Sequence, residues 1–168
     1  RAVEHLRLVL SELQMATGEL GFITLYVPEI DRAAGHFDAN LDFDGTVGRP
    51  SASGVIKLTN GELDLYQLNL ALRGVDAEAR IVSNNLDFKA VASAGDGTLS
   101  STGKLEWRDG APYGDLSLKG ENLKVVDVPE ARIFASPDLA FHIAGREIGV
   151  KGEVKLPKAR IQPAELTN

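Results

Sequence analysis

A chain of 168 residues with 18 Lys and Arg against 24 Asp and Glu carries a formal charge of −6, and its charges are scattered without a block of one sign. That balance argues against a nucleic-acid partner, because phosphate binding calls for a basic surface. Cysteine is absent, which fits an oxidising compartment and the cytosol equally.

Seventeen Gly and seven Pro serve as turn punctuation for many short strands. With aromatics at only 6%, any apolar face is lined mainly by Leu, Ile and Val. No run approaches the roughly 20 apolar residues of a membrane-spanning helix, and no stretch has the layout of a secretion signal. The chain begins at Arg1, so the expectation is a processed chain or a piece of a longer one, with any anchor outside it.

Near the start, Leu6, Leu8 and Leu10 alternate as in a strand, which is expected to run to about Leu13, although Leu6, Leu10 and Leu13 also fit helical spacing. Glu19 to Val27 reads as a short helix or a turn that Pro28 ends. From Phe37 the pattern sharpens: Phe37, Ala39, Leu41 and Phe43 alternate with Asp38, Asn40, Asp42 and Asp44. A period of two places one set on each face of a sheet. Gly45 to Gly54 is expected to be a loop, followed by Ile56 and Leu58, an Asn60-Gly61 hairpin turn, then Leu63 and Leu65. Leu68, Leu70 and Leu72 continue to Gly74, and Leu86, Phe88, Ala90 and Ala92 form a strand closed by Ala94-Gly95-Asp96-Gly97. Leu105 and Trp107 lead to an Asp109-Gly110 turn, and Leu116 and Leu118 follow it.

The clearest hairpin is the last. Leu139, Phe141 and Ile143 alternate with Ala140, His142 and Ala144 up to Gly145-Arg146, after which Ile148, Val150, Gly152, Val154 and Leu156 alternate with Gly149, Lys151, Glu153 and Lys155. Pro137 and Pro157 are expected at strand ends. Gly54, Gly103 and Gly152 head three similar hexamers at a constant spacing of 103 − 54 = 152 − 103 = 49, the mark of a repeated multi-strand unit.

Candidate chemistry is thin. Asn40-Leu41-Asp42-Phe43-Asp44-Gly45 imitates the opening of a calcium loop, but its twelfth position is Ser51 where a bidentate Glu belongs. A solvated acidic strand face explains it better. His5, His36 and His142 share no sequence motif with a Ser or a carboxylate, and no nucleophile elbow, phosphate loop or dinucleotide fingerprint is present. The expectation is a non-enzyme without cofactor or metal. The apolar face is then either the core between two sheets or the wall of an open trough. Scarce helices and a uniformly aliphatic face along the whole chain count against a closed core, which would vary large and small residues to interlock.

The run from Val128 to Pro163 (VPEARIFASPDLAFHIAGREIGVKGEVKLPKARIQP) resembles the C-terminal domain of the TamB family, and Asp38 to Leu65 is similar to an earlier part of the same domain. The resemblance implies one all-β segment over residues 1–168, a long curled antiparallel or mixed sheet (a β-taco or half-pipe) with an apolar interior groove. It implies a periplasmic stretch of an inner-membrane-anchored protein of diderm bacteria, working with an Omp85-type barrel, TamA. Its partners would be phospholipid acyl chains and nascent outer-membrane proteins, autotransporters among them. The groove would be lined by Phe37, Leu41, Phe43, Ile56, Leu58 and Leu70, by Leu105, Trp107, Leu116 and Leu118, and by Ile133, Leu139, Phe141, Ile143, Ile148, Val150, Val154 and Leu156. The expected function is a non-catalytic lipid conduit; a holdase capturing client strands at an open sheet edge, and an adhesin-like solenoid with a filled interior, are the alternatives.

Overall fold

In a computed structural model, residues 6–15, 32–46, 49–66 and 70–162 are described. The helix or turn expected over 19–28 lies outside them. Among the described residues ten strands form a single sheet: β1 (Leu6–Met15), β2 (Arg32–Thr46), β3 (Arg49–Leu65), β4 (Leu70–Val82), β5 (Asn85–Ala94), β6 (Gly97–Arg108), β7 (Ala111–Glu121), β8 (Leu123–Val128), β9 (Ala131–Ala144) and β10 (Glu147–Ile161). Every pairing is antiparallel and, apart from that of β7 with β9, joins neighbours along the chain; β1 and β10 do not pair, so the sheet is not closed into a barrel. β8 continues β7 past a break at Asn122, and β9 pairs with β8 through Ala131–Ala135 and with β7 through Asp138–Ala144. The path is therefore a plain meander.

Several turns fall where glycine and short polar residues demand them. Asp109 and Gly110 both adopt positive φ, 51° and 78°, and join β6 to β7 as a two-residue hairpin. Gly95-Asp96 and Gly145-Arg146 close their hairpins as expected.

Three expectations fail. Gly45 to Gly54 is not a loop: β2 and β3 pair as far as Thr46 and Arg49, and Gly54 lies inside β3. Asn60-Gly61 is not the hairpin turn; it sits within β3, and the chain reverses after Leu65 instead. Pro137 and Pro157 lie inside β9 and β10 rather than at their ends. Gly54 is taken into an unbroken register, whereas Asn60, Pro157 and Pro137 fall at a register shift or a strand break. Asn60 (φ 50°) occupies a register shift between Leu58 and Gly61. Pro157 occupies the shift between Lys155 and Lys158, on a strand with one edge unpaired among the described residues. Pro137 pairs with Val154 on one side and faces the β7–β8 break on the other, where its missing N–H leaves no ladder bond unmade.

These irregularities fall close to one line across the sheet. Register shifts occur at Leu10/Leu13, Ala34/His36, Leu58/Gly61, Arg73/Asp76, Lys124/Val126 and Lys155/Lys158. The β5–β6 hairpin, which ends near this line, runs without a shift. A bulge bends its strand and increases the local twist, so aligned bulges make a crease. Beyond it, the ends of β2, β3, β4, β8, β9 and β10 form a short flap against the longer main wall. The buried apolar residues collect along the crease: Ala33, Leu72, Val75, Ala94, Leu123 and Ala135, with Ala39 on the main wall. Leu123 of β8 meets Leu72 and Val75 of β4 around the tip of the short β5–β6 hairpin.

Candidate functional site

Register decides which side chains share a face, and in this sheet it sorts them cleanly. One layer reads Phe37, Leu58, Ala77, Ala90, Ser101, Leu118, Leu139 and Gly152 across eight strands. The next reads Ala39, Ile56, Ala79, Phe88, Gly103, Leu116, Phe141 and Val150. A third reads Leu41, Gly54, Ile81, Leu86, Leu105, Gly114, Ile143 and Ile148. None of these residues is charged. Phe43 extends the same face at the outer end of β2, and Trp107 does so opposite Pro112.

The structure thus brings Phe37, Leu41, Phe43, Ile56, Leu58, Leu105, Trp107, Leu116, Leu118, Leu139, Phe141, Ile143, Ile148 and Val150 onto one continuous face. The remaining expected residues fall at or beyond the crease: Val154 opposite Pro137, Leu156 within the β10 bulge, and Leu70 and Ile133 on the flap. The sequence reading missed Ala77, Ala79 and Ile81 of β4. Their signal was present as the alternation Val75-Asp76-Ala77-Glu78-Ala79-Arg80-Ile81, but alanine made it faint.

Most of this face is half-buried rather than buried. It is a wall covered on one side, not the interior of a sandwich, which would bury its large residues and not chiefly its alanines. On β10, Ile148, Val150, Val154 and Leu156 are exposed, since no further strand flanks them among the described residues.

The opposite face is charged in register. Lys57 faces Glu78 (3.9 Å), Lys104 faces Asp87 (3.6 Å), Lys119 faces Asp138 (3.6 Å) and His142 Nδ1 lies 2.8 Å from Asp115 Oδ1. Such pairs at exposed positions add little stability. Their value lies in register, since a one-residue slip would carry every charge to the apolar side. The fold gives His142 and His36 carboxylate neighbours, the latter at 3.4 Å from Asp38, that sequence motifs did not reveal. Asp42 and Asp44 are exposed while Leu41 and Phe43 are half-buried on the apolar face, so the calcium-like segment is an ordinary amphipathic strand. A depression of about 970 Å³ on the charged face runs over Gly103, Ala140 and Gly149 between Lys104, Asp115, His142 and Lys151.

Among the described residues no group of three or more His, Cys, Asp or Glu side chains converges as metal ligands would, and no helix is long and apolar enough to cross a membrane. Where ionisation is perturbed, the cause is a local ion pair. Hydrogen bonds from Lys124 and then Arg132 hold the Asp127 carboxyl below the usual carboxylate range, and Arg108 does the same for Glu106.

Residues 87–168 match the family model for the TamB C-terminal domain. The translocation and assembly module subunit TamB of Haemophilus influenzae is 23% identical over 163 residues, which is 96% of this chain. Over its second half the chain is therefore similar to the TamB C-terminal domain. It spans about 12% of the length of that TamB relative. No solved structure matches it. The family match covers β6 to β10 and most of β5, so the half of the sheet with the clearest hairpin is also the half most recognisably TamB-like.

Proposed function

We propose that this chain is one length of a non-catalytic lipid conduit. Its full-length protein would be anchored in the inner membrane and reach through the periplasm toward a TamA-type barrel, within the translocation and assembly module. The observation that carries this reading is the uncharged face, continuous over eight strands and half-covered. Exposing an acyl chain to water costs about 0.8 kcal/mol per CH₂, so a chain of about 16 carbons represents on the order of 12 kcal/mol. An apolar lane offsets that cost at every position, and the lack of fixed charges along it leaves no point at which the lipid would stick.

The outer edge of β10, unpaired among the described residues, favours a second role for the same segment, capture of nascent outer-membrane strands by strand addition. The two readings separate in one experiment. A photoreactive residue at Leu118 or Phe141, on the apolar face, is compared in cells with one at the adjacent Lys119 or His142, on the charged face. The conduit predicts phospholipid adducts at the first pair alone. Protein adducts without lipid would overturn it in favour of the holdase, and no adduct from either pair in a folded protein would refute both.

A further inference from the structure

The crease and the open rim are two unlike ends of one wall, and their difference orients whatever lies between. At the crease the apolar residues are sealed: Ala94 is 1% and Leu123 3% exposed, with Leu72 and Val75 packed around them. At the other end of the same strands, Trp107 is 44% exposed on the groove side. Beyond it stand the turns Ser83-Asn84, Asp109-Gly110 and Gly145-Arg146, exposed apart from half-buried Asn84 and Gly145. Resting on the lipid reading above, we infer that a phospholipid lies along the strands rather than across them, its terminal methyl at the crease and its ester end at the Trp107 rim.

Three observations support this. The wall is deep enough for one chain: Leu86 to Ala94 spans 94 − 86 = 8 residues of β5, about 26 Å at roughly 3.3 Å per residue. The tails of one leaflet occupy about half of a bilayer's roughly 30 Å hydrocarbon core, so one extended tail fits between rim and crease and two end to end do not. The charge pattern is also complementary. The wall carries no charge, while Asp109, Arg146 and Glu147 place both signs at the rim, where a headgroup has its phosphate and amine. Finally, an indole with one apolar side and one wet side suits the level at which tail meets headgroup.

Trp107 is the only tryptophan in the chain, so it reports on this directly. The 168-residue chain is loaded from vesicles of phosphatidylethanolamine brominated either beside the ester or near the terminal methyl. It is then re-isolated free of vesicles, and bound lipid is quantified by phosphorus. The expected result is quenching of Trp107 at least about twofold stronger from the ester-proximal bromine, and the reverse order when Trp107→Phe is combined with Leu99→Trp near the crease. Equal or inverted quenching of the wild-type chain with lipid bound would overturn the orientation while leaving the conduit standing. Absence of bound lipid would refute the conduit, and this inference with it. The wild-type comparison decides even if the double variant fails to fold.

Discussion

Gly54 shows how much a single absent side chain contributes. It lies in β3 between Leu41 and Ile81 with φ of +150°, and a Cβ there would fall on the carbonyl oxygen of Asn40. Gly152 repeats the arrangement in β10, where a Cβ would meet the carbonyl of Asp138. In both places the neighbouring strand comes closer than any other residue type allows, which lets the sheet curl toward its apolar side. Gly54→Ala is therefore expected to destabilise the chain by roughly 1–3 kcal/mol, read as a lower midpoint in urea with the slope unchanged. A midpoint equal to the wild type would show that the curl does not depend on that approach. Residues of similar type differ widely by position. Leu123→Ala, at the sealed crease, is expected to cost about 2–5 kcal/mol through the cavity it leaves, whereas Leu118→Ala on the half-covered wall should cost about 1 kcal/mol. Equal losses in denaturant titrations would mean that the wall is itself a closed core.

Among the elements, β8 carries a carboxylate with two cationic partners. Lys124 Nζ lies 2.8 Å and Arg132 Nε 3.0 Å from the Asp127 carboxylate, tying β8 to itself and to β9. These contacts lower the Asp127 pKa from its ordinary 3.8. A carboxylate whose folded pKa is depressed contributes stability that is present above the unfolded value and disappears as pH falls through the folded one. Amide exchange in β8 should accordingly quicken below about pH 3.8 relative to β6, and Asp127→Asn should bring the same acceleration at neutral pH. Uniform acceleration across both strands on acidification would instead mean global unfolding. The bulges are the other device at this scale. They turn residues that usually end a strand into bends within it, so strands of up to 17 residues can serve as both main wall and flap.

At the scale of the molecule, the two faces were legible because alternation is a local property. Leu139, Phe141 and Ile143 against His142 could be assigned from the sequence without knowing any partner strand. The crease could not, since it exists only when bulges in six different pairings come into line. Asn60-Gly61 has the composition of a hairpin turn and becomes a bulge because β2 and β4 flank it on both sides, information that lies outside any short window. The 49-residue repeat was legible as spacing and now has a physical meaning. Gly54, Gly103 and Gly152 stand on β3, β6 and β10, each three strands along the meander from the last once β7 and β8 are taken as one strand. They step from the Leu41 layer to the Ile56 layer to the Phe37 layer; Gly54 and Gly152 admit the backbone of the neighbouring strand, and Gly103 admits the side chain of Leu116.

The meander has a consequence for how such a sheet comes into being. Each strand pairs with those beside it in the chain once β7 and β8 are taken as one, and no ladder among the described residues waits for a distant segment to arrive. Loop closure is then paid in short instalments, and each completed hairpin presents a template edge for the next strand, much as repeat proteins grow by nearest-neighbour addition. A chain with this order can assemble from its first strand onward while the rest is still being synthesised. At every stage it leaves one growing edge exposed, and the same edge that lets the sheet lengthen would also be its point of greatest risk for mispairing.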